Sequence, residues 1–363
     1  MTAPTQLRLL RWGAPVVAAA AVAAVASGVF AAQANPSLPA RTAGQLLVDL
    51  QGASVDGLSG TVVQDSQLGL PQLPQVGGGG GSSSSLTSLL TGSHTLRVWY
   101  ARDEKQRVAL LGSLGETDIV RNGTNAWVWS SDSNSATRYT VPAGKAGKKE
   151  ADELPAGLTP QQAADMALKA LDPTTKVSTS STTSVAGRSA YELVLAPKDT
   201  RALVGQVRLA VDSQTSMPLR VQVFGKNSGN GPAFSVGFSS VSFEVPAATQ
   251  FAFNPPPGAK VTQGTLPMHQ APSAGAAQQA RDQVKTVGSG WTTVAVLPVP
   301  TASDTGRDSS GSLRAFLEQL PRVNGSWGSG RLMTSTLVSA LITDDGRLIV
   351  GMVPPDMLYA AAK

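Results

Sequence analysis

Two histidines and no cysteine limit the chemistry that this chain of 363 residues could perform. The histidines are His94 and His269. A structural zinc site takes four Cys, His or carboxylate ligands, and a serine nucleophile needs a histidine base oriented by an acid. Neither histidine lies in such a pattern, and no Gly-x-Ser-x-Gly segment is present. We therefore expect a protein that is not an enzyme and that carries no metal or other cofactor.

The remaining candidates for chemistry have simpler interpretations. Asp103-Glu104 and Asp344-Asp345 are adjacent carboxylates in predicted turns, where successive side chains diverge into solvent. Gly77–Gly81 is not followed by Gly-Lys-Ser/Thr and does not open a helix, so it does not match a phosphate-binding loop. An envelope hydrolase stays the least favoured of the alternatives, because it would need a histidine beside an acid and an exposed serine.

Large apolar side chains, rather than catalytic groups, distinguish residues 95–141. Trp127 and Trp129 flank Val128 and project from one face of a predicted strand. Both faces of the strands here carry large apolar groups, whereas a sheet covered on one side needs only one apolar face. Surplus apolar residues of this kind could line a cavity for acyl chains, or they could be ordinary core. The candidate lining residues are Trp99, Leu110, Ile119, Trp127, Trp129 and Leu193.

Short strands joined by tight turns are predicted to position these side chains. Turns are indicated by Asp103-Glu104-Lys105, Asn122-Gly123 and Ser131-Asp132-Ser133-Asn134. Links this short join antiparallel neighbours, because a parallel crossover needs a dozen or more residues. The five predicted strands are Thr95–Arg102, Arg107–Gly112, Thr117–Arg121, Asn125–Ser130 and Thr137–Val141.

Two helices and a further strand are predicted around this meander. Leu46, Leu47 and Leu50 lie at helical spacing and predict a helix over Pro39–Leu50. Thr159 can cap a second helix over Thr159–Leu171, with Pro160 in its first turn. The strand is Leu58–Gln67.

A second set of strands follows, and its last member indicates curvature. Phe234, Val236 and Phe238 share one face, and the alternation then slips by one residue near Ser239-Ser240. A slip of one residue predicts a β-bulge, which bends a sheet. The set is predicted to close at Phe251–Gly258, where three prolines oppose further pairing. Its strands are Ala190–Ala196, Leu203–Val211, Leu219–Phe224 and Ala233–Val245.

The C-terminal residues are predicted to form a separate small unit. It contains a strand over Lys285–Leu297 and an amphipathic helix carrying Leu313, Phe316, Leu317 and Leu320. Leu332–Thr343 and Arg347–Val353 are predicted to form a hairpin, and a last short helix begins at Pro354-Pro355. We therefore expect a ligand-binding domain at 35–261 with a flexible Gly/Ser loop at 76–85, a linker at 262–283 and a small domain at 284–363.

The N-terminus predicts export. Arg8 and Arg11 precede an apolar run over Gly13–Ala32, and Ala32-Gln33-Ala34 fits the small-x-small pattern of a signal peptidase site. Residues 1–34 are thus a signal peptide or an N-terminal membrane anchor, with cleavage favoured, and the rest lies in the periplasm or at the outer face of the plasma membrane. The formal net charge of +5 includes no dense basic cluster, so we expect no nucleic-acid partner.

These features resemble the LolA/RseB superfamily of the bacterial envelope, which includes the outer-membrane lipoprotein carrier and periplasmic sigma-factor regulators of the RseB/MucB type. The resemblance lies in the first helix, Arg97–Leu111, Asp118–Trp129 (DIVRNGTNAWVW), Thr159–Leu171 and the segment FAFNPPPGAKV. The C-terminal unit resembles the small domain of RseB-like proteins. Gly325–Arg331 and the Gly/Ser tract depart from the family pattern.

The resemblance implies an α+β fold, in which a curved antiparallel half-barrel holds helices in its concavity and a small C-terminal α+β domain follows. It implies a non-enzymatic protein that binds acyl chains of a lipid or lipoprotein. It further implies a role in envelope stress signalling through a membrane-embedded anti-sigma factor. A lipid-independent protein-interaction module of the cell envelope, with a solidly packed sheet, is the alternative.

Overall fold

The computed structural model describes residues 38–70, 91–102, 104–112, 115–141, 173–180, 182–229, 231–265, 284–298 and 317–363. The predicted signal peptide or anchor, the Gly/Ser loop and the helix over 159–171 lie outside these ranges, as does most of the predicted linker. The domain boundaries stay predictions.

A 13-stranded sheet dominates the described part of the chain, in agreement with the predicted large, curved antiparallel sheet. Its order is β13-β6-β5-β4-β3-β2-β1-β12-β11-β10-β9-β7, and β8 pairs with β9 beside this path. The strands are β1 (Gly57–Ser66), β2 (Gly92–Ala101), β3 (Lys105–Leu111), β4 (Glu116–Asn122), β5 (Asn125–Ser130), β6 (Ser135–Thr140), β7 (Thr175–Thr179), β8 (Thr183–Val185), β9 (Arg188–Pro197), β10 (Val204–Asp212), β11 (Pro218–Gly225), β12 (Phe234–Ser242) and β13 (Lys260–Gly264).

The predicted meander is confirmed as β2 to β6, five strands paired antiparallel in chain order. The turn between β4 and β5 is the predicted Asn122-Gly123 turn, and Gly123 has a φ of 60°, which a glycine adopts without steric cost. The sequence did not indicate β7 and β8, which are short and lie at the other end of the sheet.

The predicted bulge is confirmed where β12 pairs with β1. Thr61 lies opposite Ser240 and Val62 opposite Phe238, so Ser239 is the extra residue. A Cβ atom on Gly60 would lie 2.4 Å from the carbonyl oxygen of Ser240, so this close approach of the two strands requires glycine. The bulge bends the sheet between its two halves.

The expectation that the prolines end the pairing is wrong. Residues 243–259 leave β12, and β13 then pairs with β6 at the far edge of the sheet. That pairing is parallel, unlike the rest of the sheet, because the chain crosses the whole meander before it pairs again. The prolines at 255–257 lie in this crossing and not in a ladder, so they do not prevent the later pairing.

One described helix, α1 (Ala43–Gly52), packs on the large sheet. It begins within the predicted range because Thr42 and Gln45 form a capping box, in which each side chain accepts from the other residue's backbone N–H. Leu46 is 1% exposed and contacts Tyr191 and Leu193 of β9. Within the described ranges, no helix has both the length and the hydrophobicity that a membrane crossing requires.

The C-terminal residues form a second sheet of six strands, in the order β14-β15-β19-β18-β17-β16, with helix α2 (Pro355–Ala361) against it. The predicted hairpin at Asp344–Gly346 and the helix after Pro354 are confirmed. The strands are β14 (Lys285–Val287), β15 (Val294–Pro298), β16 (Arg322–Gly325), β17 (Gly328–Thr334), β18 (Ser339–Thr343) and β19 (Arg347–Gly351).

Two predictions for this region need correction. Lys285–Leu297 is not one strand, because a 3-10 turn at Gly290–Thr292 divides it into the paired strands β14 and β15. Leu332–Thr343 is likewise not one strand, because residues 335–338 separate the antiparallel strands β17 and β18. Gly325–Arg331, which fits no family pattern, includes the turn between β16 and β17. The predicted amphipathic helix lies mostly outside the described residues. The part of it that the structure describes is helical at 317–319.

Candidate functional site

Strand alternation gives the large sheet two faces with different chemistry. The face that α1 covers carries Leu193, and direct cross-strand pairs extend it through Leu209, Val221 and Val236 towards Leu96 and Leu110. We call it the helix-bearing face. The opposite face carries Trp99, Trp127 and Trp129, and we call it the tryptophan face.

The centre of the helix-bearing face is densely packed. Leu110 is 1% exposed and lies in a cluster with Val62, Leu96, Val98 and Val236, against which Phe234 and Phe238 pack. Leu193, which no solvent reaches, belongs to the separate cluster under α1. These two predicted cavity residues are therefore core residues of the described structure.

The same face becomes more open towards β5. Val108, Ile119 and Val128 lie directly opposite one another on β3, β4 and β5 and form an aliphatic row. All three side chains are half-buried. Ile119 and Val128 belong to none of the apolar clusters formed by described residues. This aliphatic row is the part of the sheet where an additional apolar group could be accommodated.

The tryptophan face is covered by the chain itself. Residues 247–259, which we call the strap, cross this face between β12 and β13 and place Phe253 against two tryptophans. The ring centroid of Phe253 lies 5.3 Å from that of Trp127 and 6.3 Å from that of Trp129. Phe251, in a short 3-10 turn of the strap, is 1% exposed. Aromatic pairs at these separations stabilise the strap on the sheet.

An ion pair lies beside the strap on the same face. The Arg107 guanidinium lies 5.3 Å from the Trp99 ring and donates to the Asp118 carboxylate, with an Nη2–Oδ2 distance of 2.6 Å. Asp118 is 3% exposed, so Arg107 supplies the charge that a buried carboxylate needs. Burial and the neighbouring Asp118 raise the pKa of Glu116 above its usual value. The Trp99 ring therefore lies beside a charged pair on the tryptophan face.

A pocket of about 340 Å³ opens on the tryptophan face next to the strap. Apolar groups are contributed by Val120, Trp127, Phe251, Ala252 and Phe253. Asn122, Asn125 and Arg138 contribute the polar groups. Arg138 Nη2 donates to Asn125 Oδ1 at 2.6 Å, and its guanidinium lies 5.8 Å from the Trp127 ring.

The six predicted lining residues are thus divided between the two faces. Leu110, Ile119 and Leu193 lie on the helix-bearing face, whereas Trp99, Trp127 and Trp129 lie on the tryptophan face. They do not line one common cavity, because a sheet separates the two sets. Alternation within β5 places Trp127 and Trp129 on one face and Val128 on the other, and Ile119 lies opposite Val128 on β4. The alternation in the sequence therefore already indicated that the tryptophans and Val128 lie on different faces.

Sequence reasoning missed the strap as a cover. Phe251 and Phe253 alternate around Ala252 in the segment where the strand set is predicted to close. In the structure Phe253 packs on Trp127 and Trp129, and Phe251 is buried in a 3-10 turn. It also missed the polar groups of the pocket. Asn122 and Asn125 flank a turn in the sequence. Only the strand register shows that both lie on the same face as Trp127.

The two sheets are joined by direct contacts. Trp291 donates from Nε1 to Thr175 Oγ1 at 2.8 Å, and backbone hydrogen bonds run from Leu203 N to Met352 O and from Thr336 N to Leu68 O, both at 2.8 Å. An apolar cluster centred on Val204, Ala233 and Leu337 spans the contact. Hydrogen bonds and apolar packing therefore connect the two sheets.

No group of three or more His, Cys, Asp or Glu side chains in the described ranges is placed to hold a metal ion. His94 is 9% exposed, and its Nε2 lies 2.7 Å from the Thr91 carbonyl oxygen, which is a structural contact.

Comparisons with known proteins give matches among solved structures only. No family model matches the chain, and no curated protein matches it. MucB in the Pseudomonas aeruginosa MucA/MucB complex is 18% identical over 88% of this chain and 96% of its own, with a TM-score of 0.41.

Two further matches cover between half and two thirds of this chain. A LolA-superfamily protein of Nitrosomonas europaea is 12% identical over 59% of this chain and 99% of its own, with a TM-score of 0.23. The Mycobacterium tuberculosis lipoprotein LppX is 8% identical over 54% and 93%, with a TM-score of 0.27.

Proposed function

We propose that this chain is a non-enzymatic, extracytoplasmic binding protein for the acyl chain of a lipid or lipoprotein. The observation that carries the proposal is the half-buried aliphatic row of Val108, Ile119 and Val128 on the helix-bearing face. An acyl chain laid along this row would be removed from water at about 0.8 kcal/mol per buried methylene group. Such a contact is not directional, so it suits an aliphatic chain better than a polar ligand.

The neighbouring core supports the same assignment. Leu110 and Val98 fill the adjoining strip of the face completely and so provide a rigid wall beside the row. A rigid, preformed wall lowers the ordering cost of binding. Arg121 continues the row's face on β4 and pairs with Glu104, so the open end of the row has a charged rim. The expected ligand therefore has an aliphatic body and a polar end.

The contact between the two sheets would allow the bound ligand to influence a protein partner. A ligand that favours one arrangement of the sheets changes affinity for a partner that recognises that arrangement. The sequence resemblance to RseB-like proteins names the partner class, a membrane-embedded anti-sigma factor. Trp291, Thr175 and the backbone bonds at Leu203 and Thr336 are the contacts through which this coupling would run.

One observation favours a second candidate function. Leu110 and Leu193, both expected to line a cavity, are fully buried by neighbouring protein. A sheet that is solidly packed everywhere would serve as a lipid-independent protein-interaction module of the envelope.

Binding of a fluorescent fatty acid, cis-parinaric acid, separates the two candidates. We expect saturable binding to the full chain, reduced about tenfold or more by Ile119→Asp, because a carboxylate beside an acyl chain loses hydration without compensation. Val245→Asp is the matched control, since Val245 is 60% exposed and lies outside the row. The milder Ile119→Ala variant covers the case in which the aspartate impairs folding.

Native mass spectrometry of protein extracted from its host envelope provides the second readout. Bound lipid in the wild-type protein, diminished in the Ile119 variants, is the expected result. Lipid-free wild-type protein, together with parinaric acid binding that ignores Ile119, would instead support the interaction module.

A further inference from the structure

The pocket on the tryptophan face has the composition of a ligand site. Val120 and Asn122 alternate on β4, Asn125 and Trp127 alternate on β5, and Arg138 lies directly opposite Trp127 on β6. Alternation thus places all five on one face, and the strap closes one side with Phe251–Phe253. The pocket combines apolar groups with convergent polar groups, as small-molecule sites do, and about 340 Å³ lies at the small end of their range.

Arg138 differs from Arg107, Arg208 and Arg220 of this face in its partners. Arg107 pairs with Asp118, and both Arg208 and Arg220 approach Glu192. Arg138, in contrast, has no carboxylate partner in the described part of the chain and donates one hydrogen bond to Asn125. A guanidinium has five N–H donors, and the described residues occupy one of those of Arg138, which lies at the edge of the pocket.

The surroundings of Arg138 orient it towards an anion. The Asn125 oxygen holds one Nη atom, and the Trp127 ring limits the position of the guanidinium plane. A fixed guanidinium fork matches a carboxylate through two parallel hydrogen bonds. Next to the guanidinium, the rings of Trp127 and Phe253 form an apolar surface. Their ring centroids are 5.3 Å apart.

We infer that this pocket is a second binding site, selective for a small carboxylate with an apolar body about the size of one aromatic ring. The carboxylate would pair with Arg138, and the body would contact Trp127 and Phe253. The site is independent of the proposed acyl surface, because the sheet separates the aliphatic row from the tryptophan face. A small molecule is favoured over an acidic peptide because the strap bounds the pocket and limits its volume.

Fluorine NMR of the full chain labelled with 5-fluorotryptophan tests this site directly. The probes are 4-phenylbutyrate and its neutral amide, 4-phenylbutyramide, and Trp127→Phe assigns the Trp127 signal. We expect a saturable change of that signal with the acid, and binding of the amide weaker by about tenfold or more, because a charge-assisted pair is lost.

Variants connect the selectivity to Arg138. Arg138→Gln should remove the preference for the acid, and Arg138→Lys, which keeps the charge but not the fork, should bind the acid with intermediate affinity. Arg208→Gln is the matched control, since Arg208 stacks on Phe224 on the same face, 5.0 Å from the ring, outside the pocket. It should bind both probes as the wild type does.

Several results would overturn the inference. They are the absence of a saturable Trp127 change, equal affinity for acid and amide, and an Arg138→Gln variant that keeps the preference. An acidic peptide that shifts the Trp127 signal where phenylbutyrate does not would assign the pocket to a protein partner instead. Competition between phenylbutyrate and parinaric acid would show that both bind one shared site. Absence of parinaric acid binding, with phenylbutyrate binding as expected, would contradict only the acyl proposal.

Discussion

The two faces of the meander are covered in different ways. On the tryptophan face, the strap of the same chain packs Phe253 onto the rings of Trp127 and Trp129 and buries Phe251. On the helix-bearing face, α1 covers the far end at β9, and the aliphatic row at Val108, Ile119 and Val128 stays half-buried. The largest apolar side chains therefore mark where the chain covers itself, whereas the smaller branched ones mark where a guest could bind.

The sharpest test of this comparison is a pair of truncations on the helix-bearing face. Leu193→Ala should lower the free energy of unfolding by about 2–5 kcal/mol, because Leu193 is completely buried under α1. Ile119→Ala should cost clearly less, since the Ile119 side chain is half-exposed. Urea denaturation of both variants measures the difference. Equal costs would show that the row is packed as tightly as the core and would argue against a binding surface.

A second test concerns the cover of the opposite face. Phe253→Ala should cost about 2–3 kcal/mol, because it removes a half-buried ring and its contacts with Trp127 and Trp129. Hydrogen exchange in β13 should increase, since the strap connects β12 to that strand. Val245→Ala, at an exposed position just before the strap, is the control. Unchanged exchange in β13 would mean that the strap is held without the tryptophans.

A third test concerns the contact between the sheets, where the expected effect is smaller. A Cβ atom on Gly225 would lie 2.6 Å from Thr336 Cγ2 and 3.1 Å from its carbonyl oxygen. Gly225→Ala should therefore displace the segment at Thr336 and cost about 1–2 kcal/mol. Gly231→Ala is the matched control, because a Cβ there meets no atom within 4 Å. Limited proteolysis near residue 336 should accelerate in the first variant only, and equal rates would place the coupling elsewhere.

The sequence predicted the parts of the fold that local patterns determine. Turn residues such as Asn122-Gly123 fixed the hairpins, and a slip in alternation located the bulge at Ser239. The parallel strand β13 was not predictable in this way, because its partner lies more than a hundred residues earlier in the chain. Nothing local distinguishes Phe251 and Phe253 in a strand from the same residues in a crossing segment.

The candidate site was predicted in composition but not in arrangement. The six residues were selected as large and apolar, which is a property of residue type, while their division between two faces depends on register. Hydrophobicity alone predicts Leu110 and Leu193 equally well in a filled interior and around a hollow one, and in the structure both are buried. The pocket residues Asn122, Asn125 and Arg138 have ordinary surface chemistry and become notable only when three strands bring them together.

The smallest predicted effect is electrostatic and concerns Asp212, at the other end of the sheet. The Asp212 carboxylate accepts a hydrogen bond from Arg188 at 3.0 Å and others from the backbone N–H groups of Gln214 and Thr215. Burial alone would raise the pKa of Asp212, but the bonds from Arg188 and Thr215 outweigh it and lower the pKa below its ordinary value of 3.8. A lowered pKa in the folded state means that the stabilisation is fully present above the ordinary pKa. It is lost as the pH falls through the lowered pKa.

Asp212→Asn should therefore reduce the melting temperature at neutral pH, and the difference from the wild type should shrink in strong acid. Asp56→Asn is the control, because Asp56 pairs with Arg102 at a site where both side chains are more than half exposed, and such pairs contribute little at any pH. Thermal unfolding from about pH 7 to about pH 2 provides the measurement. A melting-temperature difference that stays constant over this range would contradict the prediction, because it would show that the contribution of Asp212 does not depend on its ionisation.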